Sequence, residues 1–391
     1  MPKKILFVFG TRPEAIKLAP VIRAFEKEAA FRAVVCVTGQ HRQMLDQVIF
    51  AFRLRVDHDL SIMTGNQTLA DITTGALNGL ADLYRKIRPD LVMVQGDTTT
   101  VMAGALAAFY LKIPVGHVEA GLRSFDLANP FPEEMNRIMA DRVAALHFAP
   151  TRLAKRNLIK EGIGRKTITV TGNTVVDALA GIRNQTRDFS DASLRRLFGG
   201  RGMMGRASRL ILLTAHRREN FGRPLEEICK AIAALARRYQ DAVVVYPVHL
   251  NPNVQRTARR MLKGVSRVTL TAPLDYMDLI ELLRRSYLVL TDSGGIQEEA
   301  PAFGKPVLIL RRVTERPEAV AAGCARVIGE VTSQNILKAV RPLFEQPSAY
   351  RAMARVRNPF GDGRASWRIV QATRRFFGLS ADVAEFVPGR S

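Results

Sequence analysis

The chain has 391 residues, of which 47% are hydrophobic and 24% charged, the balance of a globular protein long enough for two domains. Its formal net charge of +22 suggests nucleic-acid binding, but the basic residues are dispersed and form no long Lys/Arg block, so we expect no nucleic-acid partner. No apolar run approaches the roughly 18 residues of a membrane span, and the N-terminal segment is not typical of a signal peptide, so the sequence predicts a cytoplasmic protein without membrane insertion.

Short apolar runs alternate with longer amphipathic segments in chain order. The first group of predicted strands is KKILFVFG, AVVCVTG, LVMVQG, PVGHVEAG, LHFAP and TITVTGN. The second group is RLILLTAH, DAVVVYPVH, RVTLTAP, SYLVLTD and KPVLILR. Apolar strands that alternate with helices are typical of parallel sheets covered on both faces, so we predict an α/β protein.

A polar, glycine-rich and basic segment separates the two groups of strands, between about residues 172 and 208. We therefore predict one Rossmann-like domain over residues 1–171 and a second over 172–366, and we expect a helix within 367–391 to pack back on the first domain. Ligands bind at the carboxyl ends of strands in open parallel sheets. The turns there are dense in His, Asp, Glu and Arg, which structural turns do not need, so we expect the active site in the cleft between the domains.

The same turns lack the signatures of nucleotide cofactors and metals. The first turn, FGTRPEAIK, has one glycine, the GRGMMG segment precedes a strand instead of following one, and no Walker motif is present. The histidines in the turns stand singly, without metal-ligand spacing. We expect neither a cofactor nor a metal ion.

The stretch DSGGIQEEAPAFGKP begins at Asp292, directly after a predicted strand. Ser293, Gly294 and Gly295 are placed where backbone N–H groups at a helix start can face an anion, and glycine permits close approach. A glutamate one turn later could accept hydrogen bonds from two sugar hydroxyls. The stretch predicts a diphosphate-and-ribose site, although from this stretch alone an ordinary helix N-cap is an equal alternative.

Carboxylates are concentrated in two other turns. Asp97 follows one predicted strand, Glu119 ends the next, and Glu133 and Glu134 open a helix after two prolines. Neighbouring buried carboxylates take different pKa values, which suits one as an acid and another as a base. The alternative for Glu133 and Glu134 is that they only cap the helix.

Seven motifs in order carry a resemblance to a known family: GTRPEAIKLAP, QGDTTT, HVEAGLRS, PFPEEMNR, TGNTVVDAL, HRRENFG and DSGGIQEEAPAFGKPVLILR. Together they resemble the bacterial non-hydrolysing UDP-N-acetylglucosamine 2-epimerases, from Lys4 to about Trp367. The resemblance implies a two-domain glycosyltransferase-B fold and interconversion of UDP-GlcNAc and UDP-ManNAc without NAD or metal. It also implies a UDP-binding second domain, a homodimer, and a role in supplying ManNAc units for cell-surface polysaccharide.

The resemblance also implies roles for individual residues. His216 is expected near the diphosphate, Glu299 at the ribose and Tyr276 near the uracil ring. The catalytic residues that it implies are Arg12, Lys17, Asp97, Glu119, Glu133 and His216. The substrate-binding residues that it implies are Arg12, His216, Tyr276, Ser293, Gly294, Gly295, Glu299 and Arg316.

A second, activating UDP-GlcNAc is bound by many bacterial members of that family. The loop that binds it corresponds here to Gln40, His41, Arg42 and Gln43. A basic residue of the family before QTL is replaced here by Asn66, so the resemblance implies weak allosteric activation.

Chemistry narrows the reaction that such a chain can catalyse. The hydrogen at sugar carbon 2 is not next to a carbonyl, and no NAD site is predicted, so we expect elimination of UDP to 2-acetamidoglucal followed by re-addition. This route needs carboxylates to move protons and cations to stabilise the diphosphate. A hydrolysing epimerase, a glycosyltransferase of the same fold and a non-catalytic nucleotide-sugar-binding regulator are the alternatives.

Overall fold

The computed structural model describes residues 1–39, 42–65, 67–182, 187–199, 204 and 209–389, and for residues 42–44 it describes the backbone alone. The chain divides into two compact units, one formed by Met1–Ile182 with Phe360–Ser391 and the other by Arg183–Pro359. The second unit is therefore an insertion in the chain of the first. No helix within the described residues is long and apolar enough to cross a membrane.

The first unit is built on a parallel sheet. Its strands are Lys3–Phe9 (β1), Phe31–Val37 (β2), His58–Asp59 (β3), Leu91–Gln95 (β4), Val115–Val118 (β5), Leu146–Ala149 (β6) and Ile168–Val170 (β7). They pair in the order β3-β2-β1-β4-β5-β6-β7. The interior strand β1 is apolar and fully buried from Ile5 to Phe9, as expected for a strand covered on both faces.

The second unit has a parallel sheet of the same kind. Its strands are Arg209–Thr214 (β8), Ala242–Pro247 (β9), Val268–Thr271 (β10), Leu288–Thr291 (β11), Val307–Ile309 (β12) and Ala325–Val327 (β13). They pair in the order β10-β9-β8-β11-β12-β13. In each sheet the strand order reverses beside the first strand, between β1 and β4 and between β8 and β11. Such reversal points are where open α/β sheets bind ligands.

Helices connect the strands. Those of the first unit before the insertion are Arg12–Glu26 (α1), Arg42–Ala51 (α2), Leu69–Ile87 (α3), Thr99–Tyr110 (α4), Glu133–Val143 (α5), Arg152–Lys160 (α6) and Thr174–Ile182 (α7). Those of the second unit are Ala192–Phe198 (α8), Arg223–Arg238 (α9), Pro252–Leu262 (α10), Tyr276–Arg285 (α11), Gly294–Glu299 (α12), Pro317–Ala322 (α13), Ser333–Glu345 (α14) and Pro347–Ala354 (α15). The last helix, Ala365–Phe376 (α16), belongs to the first unit.

Every predicted strand is present, and the prediction of two parallel sheets is confirmed. Two edge strands, β3 and β13, were not predicted. β3 has two residues, His58 and Asp59, and β13 has three, so neither provides the run of apolar residues by which a strand is recognised.

The division between the units lies after Ile182, whereas the sequence predicted it after residue 171. The intervening helix α7 remains with the first unit because Asp177 accepts hydrogen bonds from the backbone N–H groups of Ala365 (3.1 Å) and Ser366 (2.7 Å) at the start of α16. The helix α16 also contacts α1. The polar linker that suggested the boundary begins only after α7.

Candidate functional site

The carboxyl ends of β1, β4 and β5 bring several of the predicted catalytic residues to one edge of the first sheet. These strands are neighbours and run in parallel. Arg12 opens the helix after β1, Asp97 lies in the turn after β4, and Glu119 follows β5. Because parallel neighbours end at the same edge, residues far apart in sequence become adjacent.

Glu119 is a fixed and charge-paired carboxylate. It is 8% exposed, and the Nζ atom of Lys17 lies 2.6 and 2.7 Å from its two oxygens. The side-chain amide of Gln95 also donates a hydrogen bond to Oε2 of Glu119. The backbone of Glu119 is left-handed, with φ of 69°, which is uncommon for a residue other than glycine and is found preferentially at functional sites. Lys17 therefore compensates the charge that Glu119 carries in this edge of the sheet.

Side chains near the start of α5 form hydrogen bonds with Asp97. A guanidinium nitrogen of Arg137 donates to Oδ2 of Asp97, and Asn136 Nδ2 donates to the Asp97 carbonyl at 3.0 Å. Arg137 also donates to Glu134 at 3.1 Å. The two contacts from α5 place its first turn, which begins with Glu133, beside the turn that follows β4.

Glu133 and Glu134 differ in their surroundings. Glu134 is buried and accepts hydrogen bonds from the backbone N–H groups of Ser124 (3.0 Å) and Phe125 (2.9 Å). Glu133 is half-buried, and its carboxylate forms no hydrogen bond or ion pair with the residues that the structure describes. Glu134 therefore stabilises the loop before α5, while the carboxylate of Glu133 is available for chemistry.

Arg12 places a guanidinium group at the same sheet edge. It is half-buried at the start of α1, and within the described residues its guanidinium has no hydrogen bond or ion pair. The turn before it is fixed by the buried Glu14, which accepts hydrogen bonds from the backbone N–H of Thr11 at 2.7 Å and from the Thr98 hydroxyl at 2.9 Å. Burial raises the pKa of Glu14 to about 7, although these hydrogen bonds oppose the shift.

A buried chain of charges lies beneath these turns, and sequence reasoning missed it. His117 on β5 has its ring nitrogens 2.6 Å from Asp141 Oδ1 and 2.7 Å from the Gly96 carbonyl oxygen. Asp141 also accepts hydrogen bonds from the Gly121 N–H at 3.2 Å and from Arg123 at 2.7 Å. The chain thus joins the turn before Asp97 to the turn after Glu119.

Two acceptors on one imidazole indicate that His117 is charged. A carbonyl oxygen can only accept, so the nitrogen that faces Gly96 carries a proton, and an ionised Asp141 accepts from the other nitrogen. Burial alone would lower the pKa of His117, but the charge and hydrogen bond of Asp141 outweigh it and the pKa is raised. Burial likewise opposes ionisation of Asp141, yet His117 and then Arg123 lower its pKa below the ordinary value.

In the second unit, Asp292 organises the reversal point between β8 and β11. Its carboxylate is fully buried, and Oδ2 accepts hydrogen bonds from the backbone N–H groups of His216 and Arg217, both at 2.8 Å, and from Asn220 Nδ2 at 2.9 Å. The His216 ring is stacked on the ring of His249, with centroids 5.3 Å apart. Asp292 therefore holds the segment that presents His216.

Gly294 and Gly295 border an open space with cationic neighbours. Neither has a positive φ, and a Cβ built on Gly295 would meet nothing within 4 Å. A Cβ on Gly294 would lie 3.8 Å from Arg217 Nη2 and 4.0 Å from Arg316 Nη2, which is ordinary contact. Packing within the unit therefore does not require glycine here. The space is suited to an anion that approaches the backbone between two guanidinium groups.

The residue that precedes these glycines differs from the expectation. Its backbone N–H was predicted to face a phosphate, but Ser293 N–H donates to Thr291 Oγ1 at 2.9 Å. That donor is engaged within the chain because the strand-to-turn transition must satisfy its own buried polar groups. Any contact of Ser293 with an anion would therefore involve its hydroxyl.

The two glutamates of α12 are both buried but have different partners. Glu298 is buried and accepts a hydrogen bond from Nε of Arg316, which fixes that guanidinium near Gly294. Glu299 is 8% exposed, and the Tyr276 hydroxyl donates to it at 3.5 Å. The structure therefore brings together Tyr276 and Glu299, the residues that were expected at the base and the ribose.

The predicted allosteric loop lies largely outside the described residues. Gln40, His41 and Asn66 are not described, and of Gln43 only the backbone in α2 is described. In the part of the chain that is described, no three His, Cys, Asp or Glu side chains are grouped so as to hold a metal ion.

Known proteins resemble this chain over nearly its whole length. The UDP-N-acetylglucosamine 2-epimerase family model matches residues 23–374. The UDP-N-acetylglucosamine 2-epimerase of Escherichia coli K12 is 49% identical over 371 residues, covering 95% of this chain and 98% of the relative. The S. aureus MnaA–UDP co-structure is 45% identical with a TM-score of 0.87, covering 98% and 100% of the two chains. The structure of UDP-GlcNAc 2-epimerase from Neisseria meningitidis bound to UDP-GlcNAc is 46% identical with a TM-score of 0.86, covering 95% and 100%.

Proposed function

The chain belongs to the UDP-N-acetylglucosamine 2-epimerase family, and from this membership we propose that it interconverts UDP-GlcNAc and UDP-ManNAc without releasing free sugar. The substrate is proposed by likeness to the Neisseria meningitidis protein, whose structure contains UDP-GlcNAc. One observation carries the proposal that the reaction takes place at the carboxyl ends of the strands of the first sheet. Asn136 and Arg137 of α5 bind Asp97, so the carboxylate of Glu133, for which the described residues supply no partner, lies in the helix turn next to Asp97.

The second unit is proposed to hold the nucleotide. Arg217 and Arg316 flank the open space at Gly294, which suits a diphosphate because guanidinium groups bind phosphate oxygens through paired, charge-assisted hydrogen bonds. Glu299 is the proposed partner of the ribose hydroxyls, and Tyr276, whose hydroxyl contacts Glu299, is the proposed neighbour of the uracil ring. Arg217 adds to the residues that were expected from the sequence.

The first unit is proposed to carry out the elimination. A carboxylate takes the proton from sugar carbon 2, the bond between carbon 1 and the diphosphate oxygen breaks, and UDP leaves with the bonding electrons. The double bond formed between carbons 1 and 2 gives 2-acetamidoglucal. Return of a proton to the opposite face of carbon 2 and of the UDP oxygen to carbon 1 completes the epimerisation.

Glu133 and Glu119 are proposed for the two faces. Glu133 has no partner in the described part of the chain, so its carboxylate is proposed to act directly as a base. Glu119 is paired with Lys17. Lys17 is proposed to transfer a proton to Glu119 when substrate separates the two side chains. Arg12 is proposed to bind the departing diphosphate, because its guanidinium is unengaged within the described residues.

Incubation of the pure protein with UDP-GlcNAc tests this function. Separation of the products should give a mixture of UDP-GlcNAc and UDP-ManNAc that is approached from either epimer, with no build-up of free sugar. Accumulation of free ManNAc and UDP would identify a hydrolysing epimerase. Conversion only after addition of an acceptor would identify a glycosyltransferase, and tight UDP binding without turnover would identify a regulator.

We further propose a cytoplasmic homodimer that supplies ManNAc units for cell-surface polysaccharide. Exposed apolar residues on adjacent helices support self-association: Phe109 and Tyr110 at the end of α4 are 56% and 65% exposed, and α5 exposes Met135 and Met139. Apolar groups of this size on neighbouring helices are typical of a protein interface. Sedimentation equilibrium should give twice the chain mass, and replacement of Phe109 and Tyr110 by Asp should give the monomer mass. An unchanged dimer would place the interface elsewhere.

A further inference from the structure

The two carboxylate oxygens of Asp292 differ in their hydrogen bonding. Three donors converge on Oδ2, whereas Oδ1 is buried and accepts no hydrogen bond within the described residues. An unsatisfied buried carboxylate oxygen is costly, so it indicates a role. The polar atom that faces it is Nδ1 of His216, 3.5 Å away.

We propose that Asp292 is a positioning residue for His216: its Oδ1 accepts a hydrogen bond from Nδ1–H, and Nε2 is thereby directed to the diphosphate of the bound nucleotide. This inference rests on the proposed function for its ligand. Within the described residues no group bonds Nε2 of His216, and the side chain is 36% exposed, so Nε2 is the ring nitrogen that a ligand can reach. A carboxylate that orients an imidazole and sets its tautomer is a recurring arrangement in active sites.

The groups around His216 keep its ring neutral before a ligand binds. Burial lowers the pKa of His216; the Asp292 carboxylate opposes this shift, and His249 and Arg217 add to it. His249, which is stacked on His216, accepts a hydrogen bond at Nδ1 from the Asn251 N–H at 3.1 Å, so that nitrogen carries no proton. A neutral His216 beside a carboxylate should carry its proton on Nδ1.

Arrival of a diphosphate changes this balance. Its negative charge favours protonation of Nε2, and the resulting imidazolium is stabilised on one side by the diphosphate and on the other by Asp292. UDP binding should therefore be accompanied by uptake of a proton near neutral pH. The same charged ring would stabilise the diphosphate when it leaves the sugar.

Nitrogen-15 NMR of the full-length protein tests the inference directly. The His216 signals, identified with His216→Gln, should show the Nδ1–H tautomer in the free protein and protonation of both nitrogens with saturating UDP. Calorimetry in two buffers of different ionisation enthalpy should show proton uptake on UDP binding. An Nε2–H tautomer in the free protein would overturn the inference.

Asp292→Asn reverses the arrangement without changing its shape. The amide oxygen can accept the three donors at the Oδ2 position, which leaves the amide NH₂ facing Nδ1. His216 should then carry its proton on Nε2, proton uptake should disappear, and UDP should bind about tenfold more weakly because one charge-assisted interaction is lost. Unchanged tautomer and proton uptake in this variant would contradict the inference.

Asp241→Asn is the control. Asp241 pairs with Arg209 at the opposite edge of the same sheet (2.6 Å), so this substitution should leave the His216 tautomer unchanged. If Asp292→Asn does not fold, the wild-type tautomer and proton uptake decide. If the wild type does not bind UDP, the proposed function fails, and the tautomer of the free protein still tests Asp292.

Discussion

Glu133 and Glu134 are adjacent in sequence, yet their carboxylates have opposite environments. Glu134 is saturated by backbone donors and Arg137, while Glu133 has no partner within the described residues. In α12, Glu298 is paired with Arg316, while Glu299 accepts a hydrogen bond from Tyr276. Each of these adjacent glutamate pairs therefore combines a structural residue with one that is proposed to bind or react.

Exchanging each carboxylate of the first pair for an amide should separate these roles. Glu133→Gln should lose epimerisation by at least about 100-fold, because an amide cannot exchange a proton with carbon, and should change the free energy of unfolding by less than about 0.5 kcal/mol. Glu134→Gln should lower the free energy of unfolding by about 1–3 kcal/mol. Turnover and urea unfolding measure the two effects.

Deuterium incorporation checks the chemistry of the same step. In deuterated water the wild type should place deuterium at carbon 2 of both epimers, and Glu133→Gln should not. A product that keeps all its carbon 2 hydrogen would argue against elimination with solvent exchange, and near-normal turnover in Glu133→Gln would remove that residue from the acid/base role.

Gly294→Val should weaken UDP binding by at least about tenfold, because the added side chain occupies the space between Arg217 and Arg316 that the diphosphate would use. The variant should fold, since its Cβ meets only the ends of flexible side chains. Titration calorimetry measures the affinity. Gly164→Val is the control, because a Cβ built on Gly164 would meet nothing within 4 Å. Equal UDP affinity in both variants would remove the phosphate assignment of Gly294.

The buried charge chain joins two strands and a helix of the first unit. His117 on β5 and Asp141 on α5 support the Gly96 carbonyl and the Gly121 N–H, so the elements that carry Asp97 and Glu119 share one buried network. Buried ion pairs of this kind contribute little net stability when intact, but removal of one partner is strongly destabilising. Here the network fixes the positions of the turns that carry Asp97 and Glu119.

Asp141→Asn should destabilise the protein by about 3–5 kcal/mol near pH 6, because it leaves Arg123 and His117 without their shared carboxylate. The folded-state pKa of His117 is raised, so its contribution to stability is full below the unfolded value and is lost as pH rises through the folded value. Urea unfolding of the wild type should therefore show this loss above about pH 6.5, the ordinary histidine value. Asp141→Asn should not show this loss of stability. His147→Gln should still show it, because the pKa of His147 is lowered and its titration does not produce a loss of stability as pH rises.

Sequence patterns predicted the elements better than they predicted the contacts between them. Long apolar strands such as β1 are recognisable because burial on both faces requires a continuous apolar run. The roles of Asp141 and Asp292 were not predicted, because each depends on a polar contact between segments far apart in sequence, with His117 and with His216. A charged residue in a turn or helix gives no local sign of its partner.

Charge is the property that distinguishes the whole molecule, with 58 basic and 36 acidic side chains. Some of the basic residues form exposed pairs, as Arg260 does with Glu226 and Arg341 with Glu345, and such pairs contribute little to stability. The surplus is therefore expected to act on ligands, by attracting small anions to the protein.

Binding measurements at different salt concentrations should distinguish attraction of small anions from nucleic-acid binding. UDP should bind more weakly as ionic strength rises from about 0.05 to about 0.5 M, because the screening length falls below the distances over which the surplus charge acts. A labelled DNA duplex should show no change in fluorescence anisotropy with the protein at about 0.15 M salt. Salt-sensitive duplex binding at that ionic strength would support a nucleic-acid partner.

Because the second unit is inserted in the chain of the first, a ribosome completes residues 183–359 before it makes α16. The nascent second unit can close its sheet while the first still lacks its last helix. Until that helix emerges, Asp177 lacks the backbone donors of Ala365 and Ser366, and Glu28 lacks Arg374, its partner at 2.8 Å. The part of the protein that is synthesised first is thus completed after the second unit, and until α16 has been made, the face of α1 that α16 contacts is uncovered.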